Sequence, residues 1–192
     1  WYNGYYLDAA IDEVEIFPAL RTAADIASRY ALFSPPPPPA NLSTVAEWNF
    51  ESAADDDSGN GHGGTLSGTA TVTGASGNGL RFDGISDAAT VPGSVDFTPA
   101  SFTVRAWVRL LSAPGDWGTL VANYGGSFDG WYLGVNSDGR VRFAAGSLPS
   151  SLPIVVSTAA VSLNRWHHVT ASYDGRTRKV ILYVDGAQDT VA

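Results

Sequence analysis

Residues 102–110 read FTVRAWVRL, and this stretch decides the fold class. Phe102, Val104, Ala106, Val108 and Leu110 alternate with Thr103, Arg105, Trp107 and Arg109. A period of two is what a strand with one face on a core requires, because successive side chains point to opposite faces. Outward from it, similar short runs recur at 45–50, 80–83, 88–91, 119–123, 131–135, 140–144, 166–173 and 179–184. Asp138-Gly139, Asp174-Gly175 and Asp185-Gly186 supply hairpin turns at strand ends. Many short strands without intervening helices predict an all-β, two-sheet antiparallel sandwich of jelly-roll type.

The front of the chain is different. Residues 10–17 (AIDEVEIF) form another strand pattern, with Glu13 and Glu15 on the face opposite Val14 and Ile16 and the core taking Ile11, or else Val14 and Ile16. Thr22 and Asp25 then have capping-box spacing, with Asp in place of Glu, and open a short helix to Tyr30. One strand and one helix cannot bury a core alone. Five consecutive prolines at 35–39 fix φ and predict an extended rod of about 15 Å. The chain therefore divides into a leading strand and helix (1–33), a proline-rich linker (34–43) and a body (44–192).

Composition excludes several classes. The 192 residues carry 19 acidic and 11 basic side chains, and the net charge of −8 opposes nucleic acid binding. Cysteine is absent, so disulfides add nothing. No apolar run is long enough to span a bilayer as a helix, so no membrane partner is expected. The chain opens on Trp1 rather than Met, as expected of a processed or excised piece of a longer protein.

DSGNGH at 57–62, GLRFDG at 79–84, FTVRAWV at 102–108, RWHHV at 165–169 and LYVDG at 182–186 follow one another in the order of a LamG-like jelly-roll domain, which the chain resembles. That family is related to concanavalin A-like lectins and glucanases, and the resemblance implies two packed antiparallel sheets. It also implies a closing motif similar to IDEVEIF at 11–17, which here stands at the front, so the body is expected to lack its last strands. The chain thus looks like the tail of one tandem repeat joined to most of the next. A jelly roll missing a strand exposes a hydrophobic groove and an unpaired edge. Either the leading segment folds back in cis, or it inserts into an identical neighbouring subunit. An extended proline rod favours the neighbour, and strand donation of this kind would build an extracellular filament.

Calcium is the expected cofactor. Hard cations take six to eight oxygens from flexible loops, and Asp57, Asn60 and the carbonyls near His62 offer several in one turn. The resemblance puts the cation between this loop and the closing strand, implying Asp12 as partner, with Asp83 or Asp87. The competing reading has Asp57 and Asn60 merely capping turns. Related glucanases use a Glu-x-Asp-x-x-Glu strand, in which two carboxylates act as nucleophile and acid. Here Ala10 takes the first place and Glu15 alone keeps an outer one, so no catalysis is expected. The adjacent His167 and His168 point to opposite faces and form no zinc set.

Trp117, Tyr124 and Trp131, within a cluster that includes Phe128 and Tyr132, are candidate ligand-binding rings, since flat aromatics stack on sugars. They are also ordinary core material. Asn41 begins a glycosylation sequon. The function these readings imply is a non-catalytic extracellular or cell-surface adhesion module recognising a glycan or another extracellular protein. The alternative is the filament repeat.

Overall fold

The computed structural model describes residues 7–31, 44–124, 130–146 and 154–192, without the side chains of Arg29 and Tyr124. The proline run at 35–39, Asn41 and Phe128 lie outside the described residues. Along the chain run β1 (Asp8–Phe17), α1 (Ala23–Ala31), β2 (Ala46–Trp48), β3 (Thr65–Ser67), β4 (Ala70–Thr73), β5 (Asn78–Asp83) and β6 (Ala88–Thr90). Then follow β7 (Ser101–Leu110), β8 (Trp117–Tyr124), β9 (Gly130–Asn136), β10 (Arg140–Gly146), β11 (Ile154–Ala160), β12 (His167–Asp174), β13 (Lys179–Val184) and β14 (Ala187–Val191).

An eight-stranded sheet runs β14-β13-β12-β7-β1-β5-β4, with β2 also paired to β1, and a four-stranded sheet runs β11-β10-β9-β8. β3 and β6 form a separate two-stranded ribbon. Every pairing is antiparallel. Between the two main sheets lies one core. Val104, Ala106, Val108, Val169, Ala171, Val180 and Leu182 enter it from the larger sheet, and Leu133, Val135, Val141 and Phe143 from the smaller. The jelly-roll sandwich expected from alternation is the fold observed.

β1 sits in the middle of the larger sheet. One edge pairs with β7 from Ala9↔Leu110 to Phe17↔Thr103, and the other pairs first with β5 and then with β2. The leading segment therefore closes the jelly roll in cis. β2, which follows the linker, pairs with the C-terminal half of β1: the Val45 N–H donates to the Ile16 carbonyl at 2.8 Å.

A β-bulge between Asp12 and Glu15 resolves the choice between Ile11 and Val14 with Ile16 as core residues. Glu13 takes a left-handed φ of 51° and is the extra residue. This resets the parity of the strand, so Ala9, Ile11, Val14 and Ile16 all enter the core. Ala10, Asp12, Glu15 and Phe17 all lie on the other face, buried as well.

That other face is covered by α1. The Thr22 hydroxyl accepts the Asp25 N–H at 3.1 Å and Asp25 accepts the Thr22 N–H at 3.1 Å, the reciprocal capping box expected. Capping starts a helix that buries Ile26 and stacks Tyr30 on Trp107, with ring centroids 5.7 Å apart. Trp107 lies edge-on to His168 at 5.2 Å. The turn from β13 to β14 runs beneath Tyr30. Asp185 and Gly186 have φ of 52° and 74°, as a type I′ hairpin requires, and a Cβ on Gly186 would come within 2.8 Å of the Tyr30 side chain.

Beneath this cover Glu15 faces Arg105 in register across β1 and β7 and forms an ion pair with it, the carboxylate fully buried and Arg105 only 5% exposed. Two desolvated charges tolerate burial only together. Glu15→Ala should therefore cost about 3–5 kcal/mol in urea unfolding, because it strands the guanidinium. The double change Glu15→Leu with Arg105→Met should recover most of that loss. A single-variant cost below about 1 kcal/mol, the range of exposed pairs, would contradict the assignment.

Candidate functional site

The acidic loop is organised by Asp56 rather than by Asp57. Asp56 accepts N–H bonds from Glu47 at 3.1 Å, Ser58 at 3.0 Å and His62 at 2.9 Å. Burial alone would raise the Asp56 carboxyl, but the Ser58 hydroxyl and the three amides outweigh it and hold it below the ordinary value. Asp57 accepts the Asn49 N–H at 3.3 Å. Asn60 turns its amide nitrogen to the Thr44 and Val45 carbonyls at 2.8 and 2.9 Å. The His62 carbonyl accepts the Trp48 indole N–H at 2.9 Å, while the His62 ring lies 4.7 Å from Phe97 and 3.2 Å from Asp96. This is the turn-capping arrangement.

The other expected calcium ligands lie elsewhere. Asp83 closes its own turn by accepting the Ile85, Ser86 and Asp87 amides, and Asp87 accepts the Asp83 N–H at 2.9 Å. Asp12 accepts the Ala75 and Ser76 amides at 2.8 and 3.0 Å, at the β4–β5 turn. The structure thus places Asp57, Asn60 and His62 in one loop, Asp83 and Asp87 in a second, and Asp12 at a third position. Among the described residues no group of three or more His, Asp or Glu side chains is arranged to hold a metal. As arranged, these side chains do not form one calcium cage, because they stand at three separate places in the fold.

The aromatic candidates separate cleanly. Trp131 is 3% exposed, packs on Phe102 at 5.2 Å and donates its indole N–H to the Phe97 carbonyl at 2.8 Å. It is core, so the expectation that it offers a ring to a ligand is corrected. Its neighbour Tyr132 points the opposite way, as strand alternation dictates. Tyr124 ends β8, and its side chain lies outside the described residues.

Trp117 is half-buried on the face of the smaller sheet turned away from the core, its ring 4.8 Å from Tyr132. The Arg142 guanidinium lies 5.1 Å from the Trp117 ring and 5.6 Å from that of Tyr132, and its Nε donates to the Tyr132 hydroxyl at 2.6 Å. The buried Tyr132 thus holds a guanidinium beside the half-buried Trp117, which sets a hydrogen-bonding fork next to an indole. Sequence reasoning missed Arg142. Its alternation with the core residues Val141 and Phe143 marked it as outward-facing, but nothing tied it to Trp117 on another strand.

Ser162, His167 and Asp185 form a line that resembles a nucleophile, base and orienting acid. Ser162 Oγ is 2.9 Å from His167 Nε2, and His167 Nδ1 is 2.9 Å from Asp185. The Ser162 backbone N–H also donates to Nε2 at 3.0 Å, so the lone pair a general base would need is already engaged. Asp185 in turn accepts the His168 N–H at 3.0 Å. These bonds pin the β11–β12 connection to the β13–β14 turn.

The bulge gathers the most perturbed carboxyls. Burial pushes Asp12 up to about 6 against the amides of Ser76, Ala75 and Glu13, with Glu51 adding repulsion. Burial and the neighbouring Asp12 push Glu13 up to about 7, Arg105 opposing. Raised acids favour the fold below their unfolded values, and that stability is lost as pH climbs through the folded ones. Asp25, Asp56, Asp83, Asp174 and Asp189 are lowered and act oppositely, losing their contribution as pH falls below the ordinary carboxylate range. Thermal midpoints should therefore peak at about pH 5 and fall towards pH 8. Asp12→Asn should flatten the alkaline fall by about 3 kcal/mol, the amide oxygen still accepting both turn amides. A midpoint that rises steadily from pH 5 to 8 would refute the assignment.

A sequence profile described as the concanavalin A-like lectin/glucanases superfamily matches residues 83–192, 110 of the 192. No curated protein and no solved structure matches the chain. The match runs from the end of β5 through β14 and so contains β7, β12 and β13 on one side of the core and the whole smaller sheet on the other. A match of that extent, on a chain that folds as this two-sheet antiparallel jelly roll, means that the protein belongs to the concanavalin A-like lectin/glucanase superfamily.

Proposed function

We propose that this protein is a non-catalytic binding module that presents the outer face of its smaller sheet to a glycan or an extracellular protein. The carrying observation is the Trp117–Tyr132–Arg142 cluster, where a half-buried indole and a guanidinium share one outward face. Rings of this kind stack on the apolar faces of sugars, and a guanidinium anchored through Nε keeps donors for hydroxyls or carboxylates.

Two features support the non-catalytic reading. Position 10, where the glucanase pattern places its first Glu, is Ala, and Glu15 is sealed against Arg105. A carboxylate without solvent access and bound to a guanidinium cannot attack or protonate a glycosidic bond. An extracellular or surface location and an adhesive role are part of the same proposal and rest on likeness of fold.

Affinity electrophoresis through gels containing polysaccharides tests the site. Trp117→Ala and Arg142→Ala should each weaken retention about tenfold or more, the loss of about 1–3 kcal/mol expected for a stacking ring, while unfolding stability changes little. Retention that survives both changes would place the site elsewhere. Release of sugar from any retained polysaccharide, lost in Glu15→Gln, would overturn the non-catalytic reading. Calcium and chelator should give equal melting midpoints, as the separation of the candidate ligands implies. A calcium-dependent rise abolished by Asp57→Ala would show that the loop rearranges into the cage expected from sequence.

A further inference from the structure

We propose that the ligand of the Trp117–Arg142 cluster is an acidic saccharide of the uronic acid class, whose carboxylate is taken directly by Arg142 without a bridging cation. This inference rests on the binding face proposed above and narrows its ligand. The starting point is an uncompensated charge. Strands β8, β9, β10 and β11 contain Arg140 and Arg142 but no aspartate or glutamate, in a chain whose net charge is −8. Asp116 precedes β8, and Asp138 lies in the β9–β10 turn, where Arg140 holds it at 3.5 Å. Arg81 and Arg105 likewise face Asp8 and Glu15. Among the described residues Arg142 meets no carboxylate.

What holds Arg142 is neutral. Its Nε donates to the Tyr132 hydroxyl at 2.6 Å, which sets the direction of the guanidinium without cancelling its charge. The two terminal nitrogens remain, and their forward N–H groups match the two oxygens of a carboxylate. The register explains why the indole is within reach. Arg142 on β10 and Thr119 on β8 both stand opposite Gly134, which has no side chain to separate β10 from the face of β8 that bears Trp117. The guanidinium therefore comes to 5.1 Å from the Trp117 ring.

That proximity decides the ligand's charge. A sugar stacked on Trp117 also displaces water from the cation beside it. A neutral sugar would leave the guanidinium desolvated and unpaired, which opposes binding. A carboxylate replaces the lost water with two charge-assisted hydrogen bonds. The ligand therefore needs an apolar ring face for the indole and an acidic group within reach of the fork, which a uronic acid carries on one sugar unit. With a net charge of −8, no long-range attraction draws such a ligand in. The preference for acid thus hangs on this one contact and should vanish with it.

The test compares matched polymers. Binding of the full chain to immobilised polygalacturonate, alginate and polyglucuronate is measured by biolayer interferometry in chelator, beside the same polymers after reduction of their carboxyls to alcohols. At least one polyuronate should bind about tenfold or more tighter than its reduced form, the scale of a hydrogen-bonded ion pair. Arg142→Gln should abolish that difference, while Trp117→Ala should weaken acidic and neutral forms alike, with urea midpoints unchanged in both. Equal binding of acidic and reduced forms, or a preference that survives Arg142→Gln, would overturn the proposal. So would a preference seen only when calcium is added, and a sulfated galactan bound tighter than every polyuronate would replace the carboxylate by a sulfate ester. Neutral polymers bound through Trp117 with no gain from the carboxyl would sink the acidic ligand alone and leave the face as the site. No binding to acidic or neutral polymers would sink both readings.

Discussion

The larger sheet of this jelly roll is continuous only because β1 lies at its centre, and β1 is fixed there by a buried charge pair. Glu15 and Arg105 come from strands that meet late in the chain and sit opposite each other with almost no solvent access. A mispaired register would separate them and bury each charge alone, at a cost larger than the loss of a single apolar contact. The pair thus acts less as a source of net stability than as a penalty on every other alignment. Hydrophobic pattern alone could not give that discrimination, since both faces of β1 are buried and a slipped strand would still present apolar residues to the core.

The two sheets differ in what covers their outer faces, and the difference bears on function. On the larger sheet, α1 lies over Trp107 and His168, so its aromatic and titratable side chains are consumed in packing. On the smaller sheet, Trp117, Tyr132 and Arg142 form a compact cluster on strands β8, β9 and β10. Equal numbers of rings on the two faces would not mean equal capacity to bind. A ring already stacked beneath a helix has spent its surface, while a half-buried indole beside a guanidinium keeps some.

Much of the architecture was legible because alternation is a local property. The strand at 102–110, the hairpin at Asp185-Gly186 and the Thr22–Asp25 cap each follow from a few adjacent residues. The parity of β1 was not legible, because a bulge is one extra residue, and nothing in AIDEVEIF says which residue opts out of the ladder. Glu13 does so at a positive φ that is uncommon for Glu. The acidic loop shows the same limit. Three consecutive aspartates at 55–57 are interchangeable on paper, and only the fold assigns the organising role to Asp56. Trp131 could have been placed correctly, since it shares parity with the core residues Leu133 and Val135.

The three carboxylates of β1 show how position decides chemistry more strongly than residue type. Asp12 is stabilised as an anion by two turn amides but disfavoured by burial, and its pKa settles near 6. Glu13, on the bulge, is desolvated by burial and has like charges on either side, and is pushed higher still. Glu15 is neutralised by a guanidinium in its own sheet. Glycoside cleavage by two carboxylates requires both to reach one bond from an open face, one of them able to donate a proton. Here the bulge does turn positions 10, 12 and 15 to one face, but that face is closed: position 10 has no carboxylate, Asp12 is tied to a turn, and Glu15 lies against Arg105. The strand that aligns with the glucanase pattern carries the closure of the sheet, and the recognition face proposed above lies on the opposite side of the sandwich.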